Sequence, residues 1–192
     1  MTTLDAGVND SQSVGDPARF RTHAELEAGL RAMHAPREAG RIEAIVRRGE
    51  NGRRESMQHA QLSSELGLPG DAWGRDPERD PAMQLAVMQL DVAELIANGQ
   101  PLTLFGDNLF VSLDLSSANL PAGSRLRAGG ITFEVTPMPH NGCRKFQARF
   151  GADALRFVCT QALRHFNLRG IYLRVVEAGE VRCGDAITVV SR

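Results

Sequence analysis

Cys143 is the residue best placed to do chemistry, because it stands among His140, Asn141, Arg144 and Lys145 with no acid following until Asp153. A thiolate beside cations is favoured over the neutral thiol, and it is the thiolate that attacks electrophiles and binds soft metals. The surroundings therefore predict a lowered pKa at Cys143 and a role as nucleophile or metal ligand. The alternative is a small residue in a tight turn. Lys145 is the single lysine of the chain, and on a loop it is not expected to form a Schiff base.

Other reactive patterns are missing. The histidines, His23, His34, His59, His140 and His165, never fall as H-x-H or H-x-x-x-H, so a dedicated zinc site is not expected. Cys143, Cys159 and Cys183 include no C-x-x-C pair, which argues against a disulfide framework and for a reducing compartment. Cys159 shares helical spacing with Leu155, Val158, Ala162, Leu163 and Phe166, and Cys183 shares the Val181 face. Both read as buried, structural residues. There is no G-x-S-x-G elbow, no phosphate loop of the G-x-x-x-x-G-K-[ST] type and no G-x-G-x-x-G.

The elements that must position Cys143 are short and mostly extended. Ile131, Phe133 and Val135 alternate with Thr132, Glu134 and Thr136, the period of a half-buried strand, and Pro137 and Pro139 end it. Further strands are expected over 40–48, 54–62, 83–88, 102–105, 170–176 and 181–190, with a corner at 120–130. Thr22 with Glu25 and Asp91 with Glu94 read as capping boxes for helices over 22–34 and 92–98, and a third helix is expected over 152–166. In the long loop after Leu68, Trp73 reads as an anchor rather than a stacking platform. The pattern predicts a mainly β fold, an antiparallel barrel or sandwich with about three peripheral helices.

The chain has 192 residues, 42% hydrophobic and 23% charged, which fits one globular domain rather than two. Residues 1–19 are polar and read as a flexible tail, 20–39 as a helical appendage and 40–192 as the main domain. A net charge of -1 gives no general attraction to nucleic acid. Neither a secretory signal nor a membrane span is visible, so a cytoplasmic protein is expected.

Four ordered motifs carry a family resemblance. TPMPHNGCRKFQARFG and LRGIYLRVVEAGEVRCGD, preceded by GLPGD at 67–71 and GDNLFVSLDL, resemble the MOSC domain found at the C-terminus of molybdenum cofactor sulfurases. That domain also occurs alone in small bacterial proteins and in mitochondrial amidoxime reducing components. The resemblance spans residues 40–192 and implies a closed or nearly closed MOSC-type β-barrel. One departure is Gly142, where many members have proline.

The resemblance also implies a molybdenum cofactor, a molybdopterin, with Cys143 as the metal ligand. Around it, His140, Arg144 and Lys145 are implied as electrostatic partners, Asn108 and Asn141 as hydrogen-bond donors, and Asp71 as the residue holding the facing loop. The implied chemistry is reduction of N-hydroxylated small molecules, with electrons from a separate reductase because no flavin or iron–sulfur motif is present. The other implied role is non-enzymic: a persulfide on Cys143, loaded by a cysteine desulfurase. Nothing resembles the pyridoxal phosphate domain of the sulfurases, so that cofactor is not expected. The two roles of Cys143 stay open on sequence.

Overall fold

In the computed structural model, residues 14–192 are described. The strands are β1 (Ala39–Arg48), β2 (Arg54–Met57), β3 (His59–Leu62), β4 (Leu85–Gln89), β5 (Leu109–Val111), β6 (Arg125–Ala128), β7 (Ile131–Val135), β8 (Ile171–Glu177), β9 (Gly179–Arg182) and β10 (Ala186–Ser191). Around the barrel the order is β1, β10, β6, β7, β8, β4 and β5, closed because β1 pairs with β10 through Ala39–Arg41 and with β5 through Ile42–Ile45. Closure removes the exposed edges that an open sheet would leave. A separate ribbon joins β3 to β9.

The interior is apolar, filled by side chains such as Ile42, Leu85, Leu109, Leu126, Phe133, Leu173 and Ile187. On one flank the strands are buried on both faces. Val87 points inward and Met88 outward, as do Leu109 and Phe110, which accounts for the unbroken apolar runs LAVM and LFV. The outward residues meet α1 (His23–Arg31), α3 (Leu90–Ala97), α4 (Arg144–Phe150) and α5 (Ala152–Cys159), while α2 (Ala72–Arg75) is a single turn in the loop after β3. In that loop Trp73 is an anchor, its Nε1–H donating to Asp80 O at 2.8 Å.

The mainly β barrel agrees with the sequence reading, and several elements differ from it. One pairing, β4 with β5, is parallel, with α3 supplying the crossover that parallel neighbours require. The Thr22–Glu25 capping box forms, but α3 has Gln89 at its cap with no side-chain bond. Residues Leu102–Leu104 form a 3-10 turn rather than a strand, because the Leu104 and Phe105 carbonyls accept from Arg149 and Arg169 instead of a ladder.

The helix expected over 152–166 stops at Cys159, where Thr160 turns extended and its hydroxyl donates to Arg156 O at 2.8 Å. Periodicity therefore misplaces Cys159. It is exposed, and Cys183 is half-buried. Near the boundary expected between tail and appendage, Gly15 N–H donates to Ala148 O and Asp16 N–H to Gln100 Oε1. Residues 1–13 lie outside the described residues.

Candidate functional site

Sequence reading places Cys143 and Lys145 together on a loop, but a helix begins directly after Cys143. Phe146, Arg149 and Phe150 form its buried face, an i, i+3, i+4 stripe. Phe150 stacks on Phe105 with centroids 4.1 Å apart. This aromatic packing fixes α4 on the barrel flank and so fixes Cys143 at its N-terminal end. Beside Cys143 opens a cavity of about 440 Å³, bounded by the turn after β1, by Gly106 and by the first turn of α4.

The cavity wall is cationic. Arg48, Arg54, Arg75, Lys145, Arg149 and Arg169 line it, and among the described residues no Asp or Glu does. Two carboxylates sit behind two of these cations. Asp71 accepts from Arg48 Nε at 3.1 and 3.0 Å and from Nη2 at 2.5 Å, and it also caps α2 by accepting from Trp73 N–H. Burial pushes the Asp71 carboxyl up, yet the Arg48 guanidinium outweighs burial and holds it below the usual range. Arg48 is driven the other way: burial lowers its pKa, and the Asp71 contacts more than restore it.

The second pair is Arg169 with Asp107, at 2.9 and 2.7 Å from Nη1. Arg169 also lies over the Phe146 ring at 5.3 Å. Arg54 and Arg149 are buried too. Burial, then the neighbouring Arg48, pushes Arg54 down to about 10, and burial with Arg169 lowers Arg149. Gly106 has φ +82°, and a Cβ there would meet Arg54 Nη2 at 2.9 Å. A side chain at that turn would crowd the arginine as well as strain the backbone.

His140 stacks on Tyr172 with centroids 4.5 Å apart, and its Nδ1 is 3.6 Å from Asp107 Oδ1. Burial, followed by the Arg169 charge, pushes its pKa down to about 4 despite Asp107. The ring is therefore neutral at pH 7, and its closeness to Asp107 is not an ion pair. Burial and Asp107 push the Tyr172 phenol up.

Of the residues singled out from sequence, Cys143, His140 and Lys145 share the cavity. His140 enters it as a neutral ring, so the cationic role expected of it is corrected. Arg144 and Asn141 are exposed and outside the lining. Asn108 and Asp71 are buried beneath it, the Asn108 Nδ2 donating to Asp71 Oδ1 at 2.9 Å and its Oδ1 accepting from Ala86 N–H at 3.1 Å. With those bonds made, Asn108 ties β1, β4 and β5 together under the cavity rather than facing into it. Sequence reading missed Arg48, Arg54, Arg75 and Arg169. Arg48 and Arg54 flank the turn after β1, and Arg169 stands in the LRG stretch, but nothing local sets them apart from the other arginines.

Comparison with known proteins agrees with this geometry. The profile of the MOSC domain matches residues 83–188. The chain belongs to the MOSC domain family. Its fold is similar to the crystal structure of the YuaD protein from Bacillus subtilis, with TM-score 0.62 and 19% identity over 83% of this chain and 100% of that one. YiiM from Escherichia coli aligns with TM-score 0.53 and 23% identity over 79% of this chain and 70% of that one. YiiM from Geobacillus stearothermophilus aligns with TM-score 0.55 and 15% identity over 80% and 76%. No curated protein matches the chain significantly. In this MOSC protein no helix among the described residues is long and apolar enough to cross a membrane.

Proposed function

We propose that this MOSC protein holds a molybdenum cofactor in the arginine-lined cavity, with the Cys143 thiolate as the protein's ligand to the metal, and reduces N-hydroxylated small molecules. The observation that carries the reading is the convergence of the exposed Cys143 and the side chains of Arg48, Arg54, Arg75, Lys145, Arg149 and Arg169 on one open cavity. A cleft lined by cations beside a thiol favours an anionic ligand, and a phosphorylated pterin is one. Among the described residues, no three His, Cys, Asp or Glu side chains converge to hold a bare ion. A solitary soft thiolate suits a metal that arrives with its other ligands.

In this reading the cations of the lining bind the anionic parts of the cofactor. Asp71 and Asp107 hold the Arg48 and Arg169 guanidinium planes in fixed orientations, so little reorganisation is needed when the anion enters. The neutral His140, held against Tyr172, offers a hydrogen bond without adding charge. When bound, the cofactor supplies two-electron oxygen transfer. Electrons come from a separate reductase, and a reducing compartment such as the cytoplasm keeps the exposed thiols reduced.

A second reading is favoured by the exposure of Cys143: a thiol open to a partner protein can receive a persulfide from a cysteine desulfurase and act as a sulfur carrier. One paired assay separates the two. Reduction of an amidoxime with a supplied electron donor, lost in Cys143→Ser, is the expected result. Persulfide on Cys143 after desulfurase treatment, with no reduction, supports the carrier. Full activity of Cys143→Ser in whichever assay the wild type passes would overturn both.

A further inference from the structure

The loop that carries Cys143 has a second cavity on its other side, of about 330 Å³. The loop's extended backbone separates the two. A Cβ on Gly142 would point at α5, meeting Leu155 Cδ1 at 2.5 Å and Cys159 Sγ at 3.4 Å. Cys143 follows with φ −135° and ψ 176°, and successive side chains of an extended chain face opposite ways. Cys143 thus opens on the arginine cavity and Cys159 on the second one.

His140 and Arg169 belong to both walls. Each has a buried nitrogen with no hydrogen-bond partner, Nδ1 of His140 and Nε of Arg169, and the His140 side chain is only 8% exposed. Buried polar atoms without partners are rare and call for a ligand or water. The rest of the second wall is amphipathic. Val158 and Leu168 are apolar, and at the rim stands the exposed Arg164, for which no ion pair is formed among the described residues. The volume lies within the range of small-molecule sites.

We propose that this second cavity binds a small organic carboxylate, its charge on Arg164 and its apolar body on Val158 and Leu168 against the His140 wall. The site needs no cofactor in the Cys143 cavity, although the two share His140 and Arg169 as wall residues. A ligand here would steady the loop that positions Cys143.

Cys159 is the reporter, because it is exposed and lines the cavity. Full-length protein is alkylated with iodoacetamide in the presence of benzoate or benzamidine, and the rate at Cys159 is read by peptide mass spectrometry. Benzoate is expected to slow Cys159 alkylation and benzamidine to leave it unchanged. Arg164→Gln, at an exposed position, should weaken the protection by about tenfold in benzoate concentration, the loss of one charge-assisted contact. Equal protection by benzamidine, protection that survives Arg164→Gln, or removal of the benzoate effect by inorganic phosphate competing at the arginine cavity would each overturn the proposal. No step depends on molybdenum, so failure here leaves the cofactor reading standing, and failure of that reading leaves this one.

Discussion

Phe133 inside the barrel and Arg54 on its flank are both almost wholly removed from water, yet burial stabilises the first and works against the second. The interior is closed, apolar and complete in itself. The arginine cavity is open and lined by cations, two of which, Arg48 and Arg169, are held by the buried carboxylates of Asp71 and Asp107. One region is built for stability and the other is held in place by it, with Asp71, Asp107 and Asn108 as the braces between them. Perturbing each region should give opposite signatures, one insensitive to added anions and the other relieved by them.

The largest effect is expected from Phe133→Ala. Truncating a fully buried aromatic side chain should cost about 3–5 kcal/mol in denaturant unfolding, and phosphate should not restore it. A loss under about 1 kcal/mol would mean the interior is looser than its burial indicates.

Asp71→Asn comes next, at about 3 kcal/mol, because the half-buried Arg48 charge loses the fully buried carboxylate that holds it. Here the comparison sharpens, since millimolar phosphate should recover part of the lost melting temperature by giving Arg48 a new partner. If phosphate stabilises Phe133→Ala and Asp71→Asn equally, the two regions do not differ as described.

The third effect is a pH dependence. His140 has its folded pKa pushed down to about 4, below an unfolded value of about 6.5. Between those values the unfolded chain binds more protons, so stability falls as pH drops through the window, by up to about 1.4 kcal/mol per pH unit. It levels off below the folded pKa. Asp71, with its pKa depressed, contributes above its unfolded value of about 3.9 and is lost only at lower pH. Denaturant unfolding of His140→Gln should therefore be flatter than wild type between pH 6.5 and 4. An unchanged slope would assign the window to another group.

The smallest is Gly142→Ala. The new Cβ would press on the flexible end of Leu155, so less than about 1 kcal/mol is expected, with Cys143 reactivity unchanged. A large loss would show that the loop between the cavities cannot shift.

Much of the barrel was legible because period-two alternation and Gly and Pro punctuation are local signals. Ile131–Val135 is a strand as its alternation predicts. The 3-10 turn at Leu102–Leu104 was not legible, because its carbonyls are claimed by Arg149 and Arg169, which are far away in sequence. Cys159 was misread since a helical period was carried across Thr160, where the helix had already ended. Within the site, Cys143 and Lys145 stood out through their neighbours, whereas Arg48, Arg54, Arg75 and Arg169 gather only through tertiary folding. Asn108 looked like a ligand contact and is a brace, a distinction that rests on burial and partners that no motif records.

The central claim is that the arginine cavity and Cys143 together hold a molybdenum cofactor. It is tested most directly by elemental analysis of gently purified full-length protein, wild type beside Cys143→Ser, with pterin measured after denaturation. The account predicts molybdenum and pterin in equal, near-stoichiometric amounts in the wild type. In Cys143→Ser the metal should be lost while the fold stays within about 0.5 kcal/mol of wild type. Wild-type protein that carries neither molybdenum nor pterin, or a serine variant that retains both in full, would contradict it.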